Sequence, residues 1–424
     1  MLSTAPLGKE PRGGDNVRVY IWDRRSNAVR RLSSAGVMVQ SRYGSPVDAV
    51  DLRGGADRST VAHRCTGDGV ITENAPFLWL DDRQLLVAML PDGQVSAAID
   101  SYARSARIVT HDASRLHAGI EPTADAVASG AARAALDTGQ NGAILRIIDV
   151  VTRAARTVAP VPAYPFRGAL TAMVSPDATQ LAVLATLGAL RPQAGREFPN
   201  SFDLTWSTER RLGFVGLASP GMIRWAALPD PARYPLELFE WSPDSNSVAF
   251  RARADGFTTA TPLFVADRAD LSVRQLGKAS IGGEQANAER VRPAAALWLT
   301  AEAILVHSSA GSWRVLRRSG ADVPVGLGTG AIPESFVRAS DGSVIGIAGQ
   351  ALTRVDTTGR LTPIRSLDRD AWFALPEDNG SPVRSRLLYT HANGEWKLQT
   401  IDTVTGLLGP AVPISSADPM TSIS

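Results

Sequence analysis

Residues with chemical potential are few in this chain, and their spacing argues against most of the chemistry they suggest. There are five histidines, His63, His111, His117, His307 and His391, and one cysteine, Cys65. No His-Glu-x-x-His occurs, and only His111-Asp112 with His117 has metal-ligand spacing beside a carboxylate. That trio lies in polar, loop-like sequence, so no metal is expected. Cys65 sits in His63-Arg64-Cys65-Thr66-Gly67-Asp68-Gly69 and would need a poised base to act as a nucleophile. It reads as an incidental thiol in a polar loop, and a single thiol excludes an intrachain disulfide and a multi-thiolate zinc site. His307-Ser308-Ser309 invites a triad reading, but a hydrolase serine needs Gly-x-Ser-x-Gly to sit on a strained strand-to-helix turn. Gly277-Lys278-Ala279-Ser280-Ile281-Gly282 and Gly216-Leu217-Ala218-Ser219-Pro220-Gly221 each carry one residue too many before Ser, and both read as inter-strand turns. Gly326-Leu327-Gly328-Thr329-Gly330 lacks the helix and later acid of a dinucleotide fingerprint and reads as a connecting loop. Asp81-Asp82 reads as a turn former rather than a glycosidase pair. No catalytic, cofactor-binding or metal-binding residue is assigned, and no cofactor is expected.

The composition sets the scale. At 424 residues the chain has room for two ordinary domains or one large repetitive one, and its 44% hydrophobic and 20% charged content is that of a globular protein. The net charge of +2 balances 44 basic against 42 acidic residues. Only Lys9, Lys278 and Lys397 are lysines, so the positive charge is nearly all arginine. Arg24-Arg25, Arg30-Arg31 and Arg317-Arg318 are short and scattered. They read as solvated surface charge from an arginine-biased codon usage, and nucleic acid is not an expected partner. No apolar run approaches the roughly eighteen residues of a membrane span, and no membrane partner is expected. The N-terminal Met-Leu-Ser-Thr-Ala-Pro-Leu-Gly-Lys-Glu has no apolar core of a secretory signal, which implies the cytoplasm, or the periplasm if a signal lies upstream.

Repetition is what organises the chain. One unit is an apolar start, a polar turn rich in Pro and Asp, and a short apolar run. Its copies begin with Phe77-Leu78-Trp79-Leu80-Asp81-Asp82 leading to Leu85-Leu86-Val87-Ala88. They continue with Met173-Val174-Ser175-Pro176-Asp177 to Leu181-Ala182-Val183, and Glu240-Trp241-Ser242-Pro243-Asp244 to Val248-Ala249-Phe250. Looser copies start at Leu297 and Val337. A second unit follows, an apolar run ending in Asp, a polar turn and another run, as in Val19-Tyr20-Ile21-Trp22-Asp23 to Val29-Arg30-Arg31-Leu32. It recurs at Leu145–Asp149, Leu263–Asp267, Leu352–Asp356 and Leu398–Asp402. Pro fixes φ at the turn corner, and Asp, Asn, Ser or Gly bond back to the turn, so each unit predicts a β-hairpin.

Two hairpins per repeat make a four-stranded sheet, and a ring of such sheets is a propeller. The expected fold is therefore all-β, a β-propeller of seven blades with an incomplete first blade. The count is a hairpin at 17–32, then six fuller units near 77–158, 170–217, 238–276, 295–326, 335–364 and 371–414. Residues 1–16 are expected to be a flexible N-terminal segment, 17–414 the propeller, and 415–424 a tail or the start of a linker. Residues 91–143 form an insertion, either a short Ala-rich helix capped by Thr123 or a plain surface loop. Trp241 is expected to fill space between blades.

The Trp-Ser-Pro-Asp-Ser-x-Ser-Val-Ala-Phe stretch at 241–250 resembles the propeller repeats of TolB-like proteins and of the prolyl oligopeptidase family of serine peptidases. The run Pro76–Gly93 resembles the blade that precedes a long insertion in bacterial members of that peptidase family. Arg210–Leu217 with Trp225 and Tyr234-Pro235-Leu236 resembles the approach to the next Trp-Ser-Pro-Asp blade there. The likeness covers about residues 70 to 280, and beyond them only the rhythm of the repeat. It implies a propeller that gates peptide access to, and docks against, an α/β-hydrolase domain carrying Ser, Asp and His. This chain departs from the family at that point, since about ten residues follow the last unit, far short of the ~200 of a hydrolase domain. The partners implied are a peptide substrate or a catalytic α/β-hydrolase domain. The alternative is a free-standing TolB-like propeller that binds a protein partner on one face.

Overall fold

The computed structural model describes residues 2–3, 18–33, 36–37, 70–71, 77–90, 143–161, 170–189, 208–229, 235–252, 260–282, 296–326, 331–367, 369–373, 384–392 and 394–414. Among the described residues there is no helix; every regular element is a strand, and every pairing is antiparallel. The first sheet joins β1 (Leu2–Ser3), β2 (Arg18–Asp23) and β3 (Ala28–Arg31). After β4 (Val70–Ile71) comes the second sheet, β5 (Phe77–Trp79), β6 (Gln84–Met89), β7 (Ala143–Asp149) and β8 (Ala155–Val161). The third holds β9 (Leu170–Val174), β10 (Gln180–Ala189), β11 (Thr208–Gly216) and β12 (Arg224–Trp225), with β4 added beside β9. The fourth is β13 (Pro235–Trp241), β14 (Ser247–Ala252), β15 (Ala260–Asp267) and β16 (Val273–Gly282). The fifth is β17 (Ala296–Thr300), β18 (Ala303–His307), β19 (Trp313–Arg317) and β20 (Asp322–Pro324). The sixth is β21 (Phe336–Arg338), β22 (Val344–Ala348), β23 (Ala351–Val355) and β24 (Leu361–Ser366). The seventh is β25 (Asp370–Phe373), β26 (Ser385–Ala392), β27 (Glu395–Asp402) and β28 (Val412–Pro413).

Burial explains the sequence of each strand. Second strands are covered on both faces: Leu85 to Met89 in β6, and Ala303 to Val306 in β18, are all buried. A strand covered on both faces needs a continuous apolar run rather than alternation, and the Leu-Leu-Val-Ala-Met and Ala-Ile-Leu-Val runs supply it. Last strands can be more open: β3 is exposed at all four positions, and β24 is buried only at Leu361. The seventh sheet departs from the double coverage of second strands, since Leu387 of its second strand, β26, is exposed.

The chain divides into two compact units, Met1–Gln275 and Leu276–Ser424, the boundary falling inside β16. In the first unit, Val19 and Leu32 of the first sheet pack on Leu85, Val87 and Ile148 of the second. Leu86, Leu145 and Ile147 of the second sheet pack on Ala172, Leu181 and Val183 of the third. Leu184, Leu212 and Phe214 of the third then pack on Leu238, Val248 and Phe250 of the fourth. In the second unit Leu305 and Val315 of the fifth sheet meet Phe336 and Val344 of the sixth. The sixth in turn lays Ile345 and Leu352 against Ala371, Phe373 and Leu388 of the seventh. Four-stranded antiparallel sheets stacked face to face are consistent with a propeller.

Three local readings differ from the sequence expectation. Leu2–Ser3, placed in a flexible segment, pairs with Arg18–Val19. Gly277–Gly282, read as a turn, is the second half of β16. Gly277 there has φ +66° and lies so close to Leu316 that a Cβ would come within 2.8 Å of its Cδ2, which makes a strand position look like a turn in sequence. Val70–Ile71 adds a strand to the third sheet that no repeat announces. Residues 91–142 of the insertion, with Thr123, and the tail 415–424 lie outside the described residues; Ala143 opens β7.

Phe250 is fully buried, stacks on Phe264 with centroids 5.7 Å apart, and faces the third sheet. Phe250→Ala is expected to cost about 3–5 kcal/mol, read as a lower urea midpoint at unchanged slope. Val151→Ser, at a site 58% exposed, should stay within about 0.5 kcal/mol of the parent.

Candidate functional site

The strands follow one another as meanders, so their connections alternate between two ends; β2 and β3 of the three-stranded first sheet stand in the places of third and fourth strands, and the third sheet is counted from β9. Turns joining first to second and third to fourth strands lie at one, the turn end. Connections from second to third strands, and from each sheet to the next, lie at the other, the loop end.

At the turn end the third strand closes on an Asp that accepts the amides of the residues ahead of it. Asp23 takes Arg25 N–H at 2.8 Å, Asp149 takes Val151 at 2.9 Å and Thr152 at 2.8 Å, and Asp402 takes Val404 at 3.0 Å and Thr405 at 2.8 Å. Asp267 and Asp356 do the same with Ala269 and Thr358. These amides favour the ionised carboxylate. The N–H of Arg25 holds the Asp23 carboxyl below its ordinary value, and that of Thr152 does so for Asp149. Asp402 lies well below the usual carboxylate range, through the amide of Thr405 and then the Arg384 guanidinium. In the Ser-Pro-Asp turns, Ser175 Oγ donates to Asp177 and Ser242 Oγ to Asp244, each at 2.5 Å, while accepting the amides of Gln180 and Ser247.

These turns also receive the next-door sheet. The carbonyl just after the third strand of one sheet accepts a guanidinium from the sheet before it. Arg30 donates to Val150 O at 3.1 Å, Arg156 to Leu217 O at 2.6 Å, and Arg224 to Arg268 O at 2.6 Å. In the second unit Arg317 closes Nε and Nη2 on Thr357 O at 3.1 and 2.7 Å. Val150, Arg268 and Thr357 each follow the strand-ending Asp, so the turn that binds the Asp carboxylate also aims the carbonyl at the arginine. Beside Thr357, Gly359 sits at φ +76°, where a Cβ would fall 2.5 Å from Pro324 O, and its carbonyl takes Gly326 N–H at 2.8 Å. A second set of ties runs from first strands. Trp241 Nε1 donates to Met173 O at 2.9 Å, its ring 5.5 Å from Phe214, and Asp177 N–H donates to Ser245 Oγ at 3.0 Å. Arg338, placed before Asp341 as Trp241 is before Asp244, does the indole's work with a guanidinium, donating to Trp298 O at 2.8 Å.

The sequence candidates are scattered. His307 in β18 lies edge-on to Trp313 at 5.0 Å, and His391 in β26 lies 4.8 Å from Trp396. Asp81 caps its own turn through the amides of Arg83 and Gln84, both at 2.7 Å. Gly216–Gly221 connects β11 to β12, with Gly221 N–H on Val158 O. His63, Cys65, His111, His117 and Leu327–Gly330 lie outside the described residues. Among the described residues no three His, Cys, Asp or Glu side chains form a group that could hold a metal ion. The sequence reading of the arginines as solvated surface charge missed a second role: Arg30, Arg156, Arg224, Arg317 and Arg338 each close on a carbonyl of a neighbouring sheet.

The loop end is different in kind. In the first unit every turn-end connection is short, at 24–27, 80–83, 150–154, 175–179, 217–223, 242–246 and 268–272. The long connections, 4–17, 32–69, 90–142 and 190–207, all leave from the loop end. Binding residues concentrate on long loops held by rigid elements, so this end is the candidate site.

No family model matches the chain, and no curated protein matches it. Solved structures similar to it include a Mycobacterium tuberculosis puromycin-hydrolyzing peptidase, at 17% identity and TM-score 0.37, over 63% of this chain and 43% of that one. Another is the dipeptidyl peptidase 4 of Porphyromonas gingivalis, at 11% identity and TM-score 0.44, over 95% and 49% of the two chains. A third is TolB from Acinetobacter baumannii, at 12% identity and TM-score 0.30, over 96% and 78%. The chain spans under half the length of both peptidases.

Two predictions follow from the turn end. Removing a tie by Arg317→Ala should cost about 1–3 kcal/mol in urea unfolding, and Arg317→Lys should restore only part, since an ammonium cannot close two N–H groups on one carbonyl. Asp23, Asp149 and Asp402 bind their protons less tightly folded than unfolded. The stability they contribute is therefore present above the ordinary aspartate value of 3.8 and is lost as the pH falls through their folded values. Asp402→Asn keeps an oxygen for the turn amides but drops the charge, so the loss of stability in acid, followed by circular dichroism, should become shallower.

Proposed function

We propose that the chain is a β-propeller of seven blades, the first incomplete, that gates peptide access to a prolyl-oligopeptidase-like α/β-hydrolase domain and docks against it. The observation that supports this most is the division of labour between the two ends in the first unit: short, mutually tied turns at one, all the long connections at the other. A gate needs a frame that does not move and loops that select. In this reading residues 17–414 are the propeller, the loop end meets the peptide, and arginines there pair with peptide carboxylates.

The second reading is a free-standing TolB-like propeller that binds a protein partner on one face. The 241–250 turn is compatible with it, since its side chains bond within their own turn or to the neighbouring sheet and leave both readings open. The coding DNA on both sides of this reading frame separates the two. A continuation with Gly-x-Ser-x-Gly, then Asp and His, is expected for the gating role. Stop codons and unrelated sequence would overturn it and leave the partner-binding scaffold.

A further inference from the structure

The third sheet carries a strand that the other four-stranded meanders lack. β4 runs antiparallel on the free edge of β9, with Val70 opposite Met173 and Ile71 opposite Ala172. Among the described residues the corresponding first strands β5, β13, β17, β21 and β25 have no strand on that edge. We propose that the free edge of β9 is a site for an extended peptide, which binds by adding a strand, and that Val70–Ile71 is the chain's own occupant of it.

Three features support this. First, β9 offers main chain rather than side chains at this edge. Leu170 and Ala172 are buried against the second sheet, Met173 against the fourth, so what remains for a partner is the backbone ladder. A strand that adds to such an edge is held by main-chain hydrogen bonds and is tolerant of sequence. Second, the occupant is short. β4 is two residues long and covers two of the five residues of β9, and so brief a pairing opens locally at low free energy. Third, its residues are β-branched and aliphatic, the types that favour an extended backbone, which is the one property the ladder asks of a ligand. Being tethered, β4 has a high effective concentration and holds the site against weak peptides. The site deepens the peptide-gating reading but does not need it, since β9 would accept a strand whether or not a hydrolase is attached.

The probe is a fluorescein-labelled, C-terminally amidated octapeptide with the sequence of residues 67–74. The variant is Val70→Pro with Ile71→Pro, which removes whichever of the two amides faces β9 in the antiparallel pairing. Fluorescence anisotropy on the full chain should show the variant binding the probe at least tenfold more tightly than the parent, and the bound probe should slow amide exchange within β9. Equal affinities for parent and variant, with the remaining strands of the variant still protected, would overturn the proposal. A variant that fails to fold moves the test to the parent. There the one of the Val70 and Ile71 amides that faces β9 should exchange by local opening, far faster than those of β10. Exchange of that amide only through global unfolding would make β4 a structural strand and overturn the proposal as well. Either failure leaves the gating reading standing, because that reading is decided by the flanking coding sequence.

Discussion

The structure depends on one arrangement: a carboxylate that folds a turn onto itself and thereby aims a carbonyl at the neighbouring sheet. At Asp149 the side chain gathers the amides of Val151 and Thr152, and the carbonyl of Val150, the residue after the Asp, is left facing Arg30. At Asp356 the same turn presents Thr357 O to both arms of Arg317. Packing alone does not fix one sheet against another, because apolar faces tolerate sliding and the hydrophobic effect has no direction. A guanidinium closed on one carbonyl does have direction. It sets the spacing and rotation between two sheets that burial merely holds together.

This accounts for the choice of arginine. The reach from one sheet to the turn of the next must end in donors that are charged, planar and able to share one oxygen, as Arg317 does. Lysine would bring a more strongly hydrated point charge and no fork. Arg338 carries the argument further, since it stands where Trp241 stands in the fourth sheet and likewise reaches a carbonyl on the first strand of the preceding sheet. An indole and a guanidinium share only a planar N–H at the end of a bulky apolar stem. Their interchange shows that the position selects for that property rather than for aromaticity.

Strands whose second members are covered on both faces were legible in the sequence, because double burial demands unbroken runs such as Leu85–Met89, and Asp or Ser-Pro-Asp marks where each run stops. The misses have physical causes too. β1 and β4 are two residues long, too short to show any period, and exist only through the strands they join. Gly277 imitates a turn because a strand squeezed against Leu316 needs the same missing Cβ and positive φ that a turn needs. The ties were invisible for a different reason. Arg156 and Leu217 O are far apart in sequence, and nothing local distinguishes an arginine that reaches a carbonyl from one that reaches water. The candidate site was the least legible part, since it consists of an end of the sheets rather than a constellation of side chains.

That last point bears on how such a protein can change function. When stability resides in turn carboxylates, arginine ties and doubly buried strands, substitutions at the opposite end leave those interactions untouched. The long connections of the first unit can then vary in length and composition at little thermodynamic cost, because loop closure grows only slowly with length. The third sheet shows what such freedom can produce. A connection that returns to the free edge of a sheet's first strand meets a row of unpaired main-chain groups, and even two residues suffice to pair with it. A chain segment that finds that edge from within uses the same hydrogen bonds that a segment from another molecule would use. An edge that must be covered by the protein's own chain is, by the same physics, an edge that can recognise an extended peptide.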